Sequence, residues 1–457
     1  MPTDVKTSNE IPGLDPRLDA LVQRLKWIMG GVVLLWVGAE SLAGLGLFYS
    51  PLKEAVRNNF FFVGPLLGLT VLQLASSPNR RELATMIGVA AGLAVVLHFL
   101  KLQFPWIKEG VRDLDIPSPL VVSACQSLAL ASILELVSRA LRKRNEERTY
   151  VLAFLLPASL IVGFTVLGPY GMALTTYFNR TTFDGYVYAA DSTLGFQPSF
   201  LVGQWFDTCL PLYFVGLLVY HTSAFIYMFV YVMQLRLRPI PAMDVVPSVV
   251  LATALATPLY ILFPVCGPEA IWGADPDGNR PDFYPHHPPP VEQVLQAPTA
   301  SRKAYVWYGY EPERGEASTS MPSLHTVIAL LSWWHARRLP IWARAIAGFW
   351  LVFTLLSTIG FGFHYLFDIV VSFPFALTVT AICIPWSAWN SSEQQAAFLW
   401  GIALTAGWLY VLRWHWDWLA YSPWLPATAI SLTVVLSCSL ESRVYRIAFA
   451  EASQPDG

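Results

Sequence analysis

Charge is what this chain has least of. Asp, Glu, Lys and Arg supply 13% of its 457 residues, about half the share of an ordinary soluble protein, and that scarcity excludes a conventional water-facing surface. Neither sign dominates. The 29 basic and 31 acidic residues leave a net charge of −2, which gives no positive field for nucleic acid. Cysteine is sparse as well: Cys125, Cys209, Cys266, Cys383 and Cys438 lie far apart, so neither a disulfide framework nor a thiolate metal site is visible. The first 26 residues lack the short apolar core and small-residue cleavage site of a secretory signal. The first apolar run is therefore expected to stay in the protein.

What is abundant is apolar surface. Hydrophobic residues make up 55% of the chain and the mean hydropathy is +0.48, so lipid must solvate most of it. Apolar runs long enough to cross a bilayer recur near residues 28–48, 58–76, 83–103, 117–138, 150–169, 208–233, 245–264, 322–336, 344–361, 364–386, 396–412 and 422–440. The expected fold class is an all-α, polytopic integral membrane protein of about twelve transmembrane helices. Basic residues gather in alternate connections, among them Arg80 and Arg81, Arg142 to Arg144, and Arg337 and Arg338. The positive-inside rule makes those connections cytoplasmic, together with both termini. Two long connections, 170–206 and 265–321, are then external. The second is rich in proline, with Pro288, Pro289 and Pro290 in a row, which predicts a mostly irregular segment of the kind that serves as a lid or binding element.

That loop ends at the one stretch that reads as chemistry. Ser320-Met321-Pro322-Ser323-Leu324-His325 opens the eighth run, and His364-Tyr365-Leu366-Phe367-Asp368 opens the tenth. Ionisable groups inside apolar helices are expensive and point to function. The four-residue spacing of His364 and Asp368 places both on one helix face, where the carboxylate fixes the imidazole tautomer and leaves the other ring nitrogen free. The 39 residues between His325 and His364 match two crossings joined by a turn, returning both to the external surface. Ser323 follows a proline at a helix start, where free N–H groups favour an anion. Two histidines, a carboxylate and an anion-binding helix end suit phosphoryl transfer, one histidine attacking phosphorus and the other protonating the leaving oxygen. The two histidines and the aspartate would also suit a metal, but the serine at an anion-binding helix end fits phosphate better, and no metal or cofactor is expected.

Pro322-Ser323-Leu324-His325, followed by Ser357-Thr358, His364 and Asp368, resembles the second and third signature motifs of the phosphatidic acid phosphatase type 2 superfamily. The resemblance covers roughly residues 150 to 386. It implies a six-helix core in which His364 is the nucleophile of a phosphohistidine, Asp368 orients it, His325 is the general acid and Ser323 holds phosphate. Leu324 stands where the phosphatases have Gly, Thr358 where they have a phosphate-binding Arg, and their Lys- and Arg-containing first motif is missing. The Pro-Ser-Leu-His form, the His-Tyr-x-x-Asp form and Leu262-Phe263-Pro264-Val265-Cys266-Gly267-Pro268 look like the inositol phosphorylceramide synthase branch, which moves a phospho-headgroup between lipids. Arg280, Arg302, Lys303 and Arg314 in the adjacent loop are candidates to replace the missing cations, and read equally well as solvated loop charges.

The division expected along the chain is a cytoplasmic segment at 1–27, transmembrane helices at 28–149, the catalytic core at 150–386 with its external loop 265–321, and two further helices with a tail at 387–457. Asp207 and His221, in or beside the sixth run, are further candidates to line a substrate cavity. The partners expected are membrane lipids: a phospholipid donor, and a lipid or polyol acceptor or water. A lipid phosphate or polyprenyl diphosphate phosphatase is the alternative reading, and a transporter or a non-catalytic membrane scaffold the reading from another class. The sequence leaves the oligomeric state open.

Overall fold

The computed structural model describes residues 16–43, 60–76, 80–103, 119–144, 147–161, 182–237, 245–268, 288–296, 319–384, 391–422 and 424–452, with the single residues 163 and 271. Among them the chain is helical, and its one extended pairing is an isolated bridge between Val265 and Thr319. The N-terminal helices are α1 (Pro16–Ala43), α2 (Phe60–Ser76), α3 (Arg80–Gln103), α4 (Pro119–Arg142) and α5 (147–161). There follow α6 (Asp184–Ser192), α7 (Pro198–Thr208), α8 (Leu210–His221), α9 (Ser223–Leu237), α10 (Val245–Leu262) and α11 (Val291–Gln296). The last group is α12 (Leu324–His335), α13 (Ile341–Gly360), α14 (Leu366–Cys383), α15 (Ser392–Trp414), a 3-10 turn (Trp416–Tyr421) and α16 (Trp424–Ala452).

The all-α, multi-pass membrane class expected from composition holds. Among the described residues α10, α13, α14, α15 and the Trp424–Ile447 part of α16 are each long and apolar enough to cross a bilayer, and α7 with α8 forms a sixth if that bent pair counts as one crossing. Of the roughly twelve runs expected to cross, those over α1 to α5 are not among these, and two others differ in form. The run 208–233 is divided at Thr222 into α8 and α9, and α8 meets α7 at a bend of 114°. Pro211, in the first turn of α8, cannot continue a helix from α7, because its ring collides with the carbonyl four residues back. The run 322–336 yields α12, whose 12 residues reach only about 18 Å, short of the roughly 30 Å hydrocarbon layer.

α14 is the central helix, with 78% of its span buried. Its residues Val370, Val371, Ala376, Leu377, Val379 and Ala381 are closed from solvent on every side, as expected of a helix that is apolar all round. It contacts α10, α12, α15, α16 and α6. The approach to α15 is close: a Cβ on Gly401 would lie 2.9 Å from the Pro374 carbonyl oxygen. The C-terminal hairpin is tied on further by Gln394 donating to Ala381 O (2.9 Å) and Trp408 donating to Thr433 (3.0 Å). At the opposite end from the two sequence motifs, Arg337 pairs with the fully buried Glu441 of α16. α2 fits between α4 and α9, and a Cβ on Gly68 would sit 2.9 Å from the Ala224 carbonyl oxygen.

Candidate active site

The two motif segments meet at one end of the bundle. Ser323 caps α12, its hydroxyl accepting from Thr326 N–H (3.4 Å), while α14 starts at Leu366 with Asp368 in its first turn. His364 therefore lies just before its helix rather than on a helix face with Asp368. The turn that follows α13 still brings the pair together. Gly362 adopts φ 72° there, a conformation glycine takes without strain, and the imidazole comes to lie with Nδ1 3.3 Å from Asp368 Oδ2.

The closer partner of Nδ1 is the Ser320 carbonyl oxygen at 2.9 Å, which fixes the proton on Nδ1. Asp368 Oδ2 meanwhile accepts from Tyr365 N–H at 2.8 Å. Nε2 is thus left with its lone pair, facing the Ser323 hydroxyl at 3.4 Å. Burial pushes the His364 imidazole down to about 4, against a smaller upward pull from the Ser320 carbonyl, so the ring is neutral near pH 7. A neutral ring with Nδ1–H and a bare Nε2 is the form a nucleophile needs.

Backbone contacts hold the segments in register. Ser323 N–H donates to Asp368 O (3.4 Å), Ser372 donates to Asp368 O (2.7 Å) and Ser323 O (3.2 Å), and Tyr260 of α10 donates to Pro322 O (3.0 Å). The stretch Leu262–Pro268 forms the third wall. Ser320 N–H donates to Val265 O (2.9 Å), and the Ser320 hydroxyl lies between the carbonyls of Cys266 and Phe363, 2.8 Å from the second. Gly267 has φ 120° and its Cα faces the Phe363 carbonyl so directly that a Cβ would overlap it.

His325, on the first turn of α12, stacks flat on Tyr220 with ring centroids 3.9 Å apart. Tyr220 also touches Phe361, Phe363 and His221. His325 and His364 are close enough for their charges to interact, as are His221 and His325. One histidine thus lies against an aromatic ring, while a carbonyl, a hydroxyl and a carboxylate face the other.

Of the remaining sequence candidates, Leu324 opens α12 and packs half-buried against the main core. Thr358 is fully buried near the end of α13, its hydroxyl without a hydrogen-bond partner among the described residues. His221 reaches the site. Asp207 is exposed near the end of α7, on the other side of the bend from α8. Arg280, Arg302, Lys303 and Arg314 lie outside the described residues, as does most of the Pro-rich loop. Its described part carries α11, which docks on α6, and Tyr188 of α6 donates to Pro289 O (2.6 Å).

Sequence reasoning missed two buried carboxylates on α6, Asp184 and Asp191, both 0% exposed. Asp184 accepts from Cys266 N–H (3.1 Å) and Gly267 N–H (2.9 Å). Asp191 accepts from Leu366 N–H (3.0 Å) and Phe367 N–H (3.4 Å). Burial raises both carboxyls, Asp184 to about 6 and Asp191 to about 8, the latter with a further push from Asp368. The available signal was their seven-residue spacing, which puts both on one face of a helix.

An apolar helical membrane protein with two histidines, a carboxylate and a capping serine gathered at the bundle end has the parts of a phosphoryl-transfer enzyme. Residues 185–383 match the family model described as the PAP2 superfamily, the superfamily its motifs resemble. No curated protein and no solved structure matches the chain. The match supports an enzyme of the lipid phosphatase or phosphotransferase type that works on membrane lipids.

Proposed function

We propose that the protein is a lipid phosphotransferase of the inositol phosphorylceramide synthase type, moving a phosphoryl group or phospho-headgroup between membrane lipids through a phosphohistidine. The observation that carries this reading is the His364 tautomer: Nδ1–H is committed to Ser320 O at 2.9 Å, and Nε2 faces the cap of α12. Phosphate bound at that helix start meets free backbone N–H groups and the positive end of the dipole. His364 Nε2 attacks phosphorus and the bond to the lipid oxygen breaks. His325, which burial keeps neutral in the free site and which takes up a proton as the anionic phosphate binds beside it, delivers that proton to the oxygen. His325 then takes a proton from the acceptor hydroxyl, whose oxygen displaces Nε2 and restores both residues.

The core at 150–386 carries this chemistry, with cations from the Pro-rich loop, Arg280, Arg302 and Lys303, completing the phosphate contacts that Thr358 cannot make. The site opens on the external face, with both termini cytoplasmic, as the basic connections favour. Stacking of Tyr220 on His325, with Phe361 and Phe363 packed against Tyr220, favours an acceptor alcohol over bulk water. The test is purified protein with a labelled glycerophospholipid, with and without a ceramide or polyol acceptor, alongside His364→Ala and His325→Ala. A new acceptor-dependent phospholipid, lost in both variants, is expected. Free phosphate release indifferent to acceptor establishes a phosphatase instead, and wild-type turnover in His364→Ala overturns the mechanism.

A further inference from the structure

We propose that Asp191 is a positioning residue for the His364 nucleophile: from α6 it fastens the first turn of α14 by the amides of Leu366 and Phe367. This assignment rests on the reading of His364 as nucleophile.

The first amides of a helix have no partner within it, and in α14 they follow His364 directly. Tyr365 N–H is taken by Asp368, which belongs to the same helix. The next two are taken by Asp191, 175 and 176 residues away in sequence. Among the described residues Asp191 is thus the bond from outside that sets where α14 begins. Burying a carboxyl group is costly unless it is hydrogen-bonded, and here the bonds go to main chain at the motif rather than to a cation.

Its companion on the same helix face treats the other flank. Asp184 holds the Cys266 and Gly267 amides, and that strip in turn backs Phe363, the residue before His364. α6 therefore grips the chain on both sides of the nucleophile. The separation of Nε2 from Ser323 depends on where the backbone of 364–367 is set. A displacement of about 1 Å at a reacting group can cost on the order of 100-fold in rate.

A residue acting this way affects turnover and spares binding. Asp191→Ala removes both acceptors, whereas Asp191→Asn keeps one oxygen for the Leu366 amide. The full-length protein in lipid nanodiscs is assayed with a labelled glycerophospholipid donor and acceptor, and acid-quenched samples report the phosphoenzyme. Asp191→Ala is expected to lower kcat and the rate of phosphoenzyme formation about 10- to 100-fold with KM within about twofold, and Asp191→Asn to recover much of the loss. The thermal midpoint and folded fraction are measured on the same samples. Wild-type kcat in Asp191→Ala overturns the proposal, and so does a loss that only follows the folded fraction. If Asp191→Ala does not fold, Asp191→Asn decides: unchanged kcat and KM together with a lowered midpoint make Asp191 structural alone and overturn it, whereas a kcat loss at constant KM supports it. Full turnover in His364→Ala removes the nucleophile reading and this assignment with it, whereas an inactive His364→Ala beside a fully active Asp191→Ala removes this assignment only.

Discussion

Replacing Gly267 by Ala tests how tightly the wall behind His364 is built. Two costs add. At φ 120° an L side chain is strained by about 1–3 kcal/mol. The new Cβ would also overlap the Phe363 carbonyl and come within 3.1 Å of Gly362 O, and because these are backbone atoms the relief must come from moving the segment that carries His364. Overpacking of this sort costs about 1–3 kcal/mol, so the sum is about 2–6 kcal/mol. Gly195 supplies the comparison. It too has positive φ, 85°, but a Cβ there meets nothing within 4 Å, so Gly195→Ala carries the conformational strain without the collision. Thermal unfolding and phosphotransfer kinetics on both variants separate the effects. Gly267→Ala is expected to be the less stable and to lose kcat by about 10-fold or more, while Gly195→Ala loses about 1–3 kcal/mol and keeps its kcat. Equal stability and equal kcat in the two would refute the reasoning.

Two further outcomes follow from the same geometry. The folded protein holds a proton on Asp191 up to about pH 8, whereas an unfolded Asp releases it near 3.9. The folded state is then the more protonated form in between, and stability falls as pH rises through that window. Asp184, raised to about 6, adds to that fall below about pH 7, and His364, lowered to about 4, opposes it until an unfolded His has released its proton near 6.5. Asp191, facing Asp368 and the N-terminal amides of α14, should thus contribute a loss of about 1.4 kcal/mol per unit from pH 6.5 to 8, and Asp191→Asn should remove that part of the slope in urea or thermal melts. For sidedness, the 3-10 turn touches α6 and Asp417 on it is exposed, so in a Cys209→Ser background Asp417→Cys should react with an impermeant thiol reagent in right-side-out vesicles; labelling only after permeabilisation reverses the topology.

The sequence was most informative where side chains carry the chemistry. His325, His364, Asp368 and Ser323 stand out because ionisable and small polar groups are rare in apolar runs, and the structure gathers all four. Leu262 to Pro268 stood out by likeness alone, and its role as a backing wall appears only in three dimensions. Asp184 and Asp191 were illegible for a physical reason: their partners are backbone amides 82 to 176 positions away, and an amide leaves no mark in a sequence. Hydropathy likewise marked about twelve apolar runs, of which five or six are helices long and apolar enough to cross among the described residues, and it placed breaks badly. It sees composition, while the division at Thr222 and the bend before α8 depend on local dihedrals and on Pro211.

The ion pair of Arg337 with Glu441, at the far end of α12, bears on what counts as a unit of this molecule. The superfamily match stops at residue 383, yet cooperativity does not. Cutting the chain there strands a guanidinium whose carboxylate lies on α16 and uncovers Phe367 and Val371 of α14, which share an apolar cluster with Trp408 and Leu412 of α15. Arg337 already keeps about a quarter of its side chain exposed and is solvated once α16 is gone, so the larger loss is the packing of α14 against α15 and α16. The end of the match and the boundary drawn by packing are therefore different lines. A minimal expression fragment has to follow the second, and keep its last two helices.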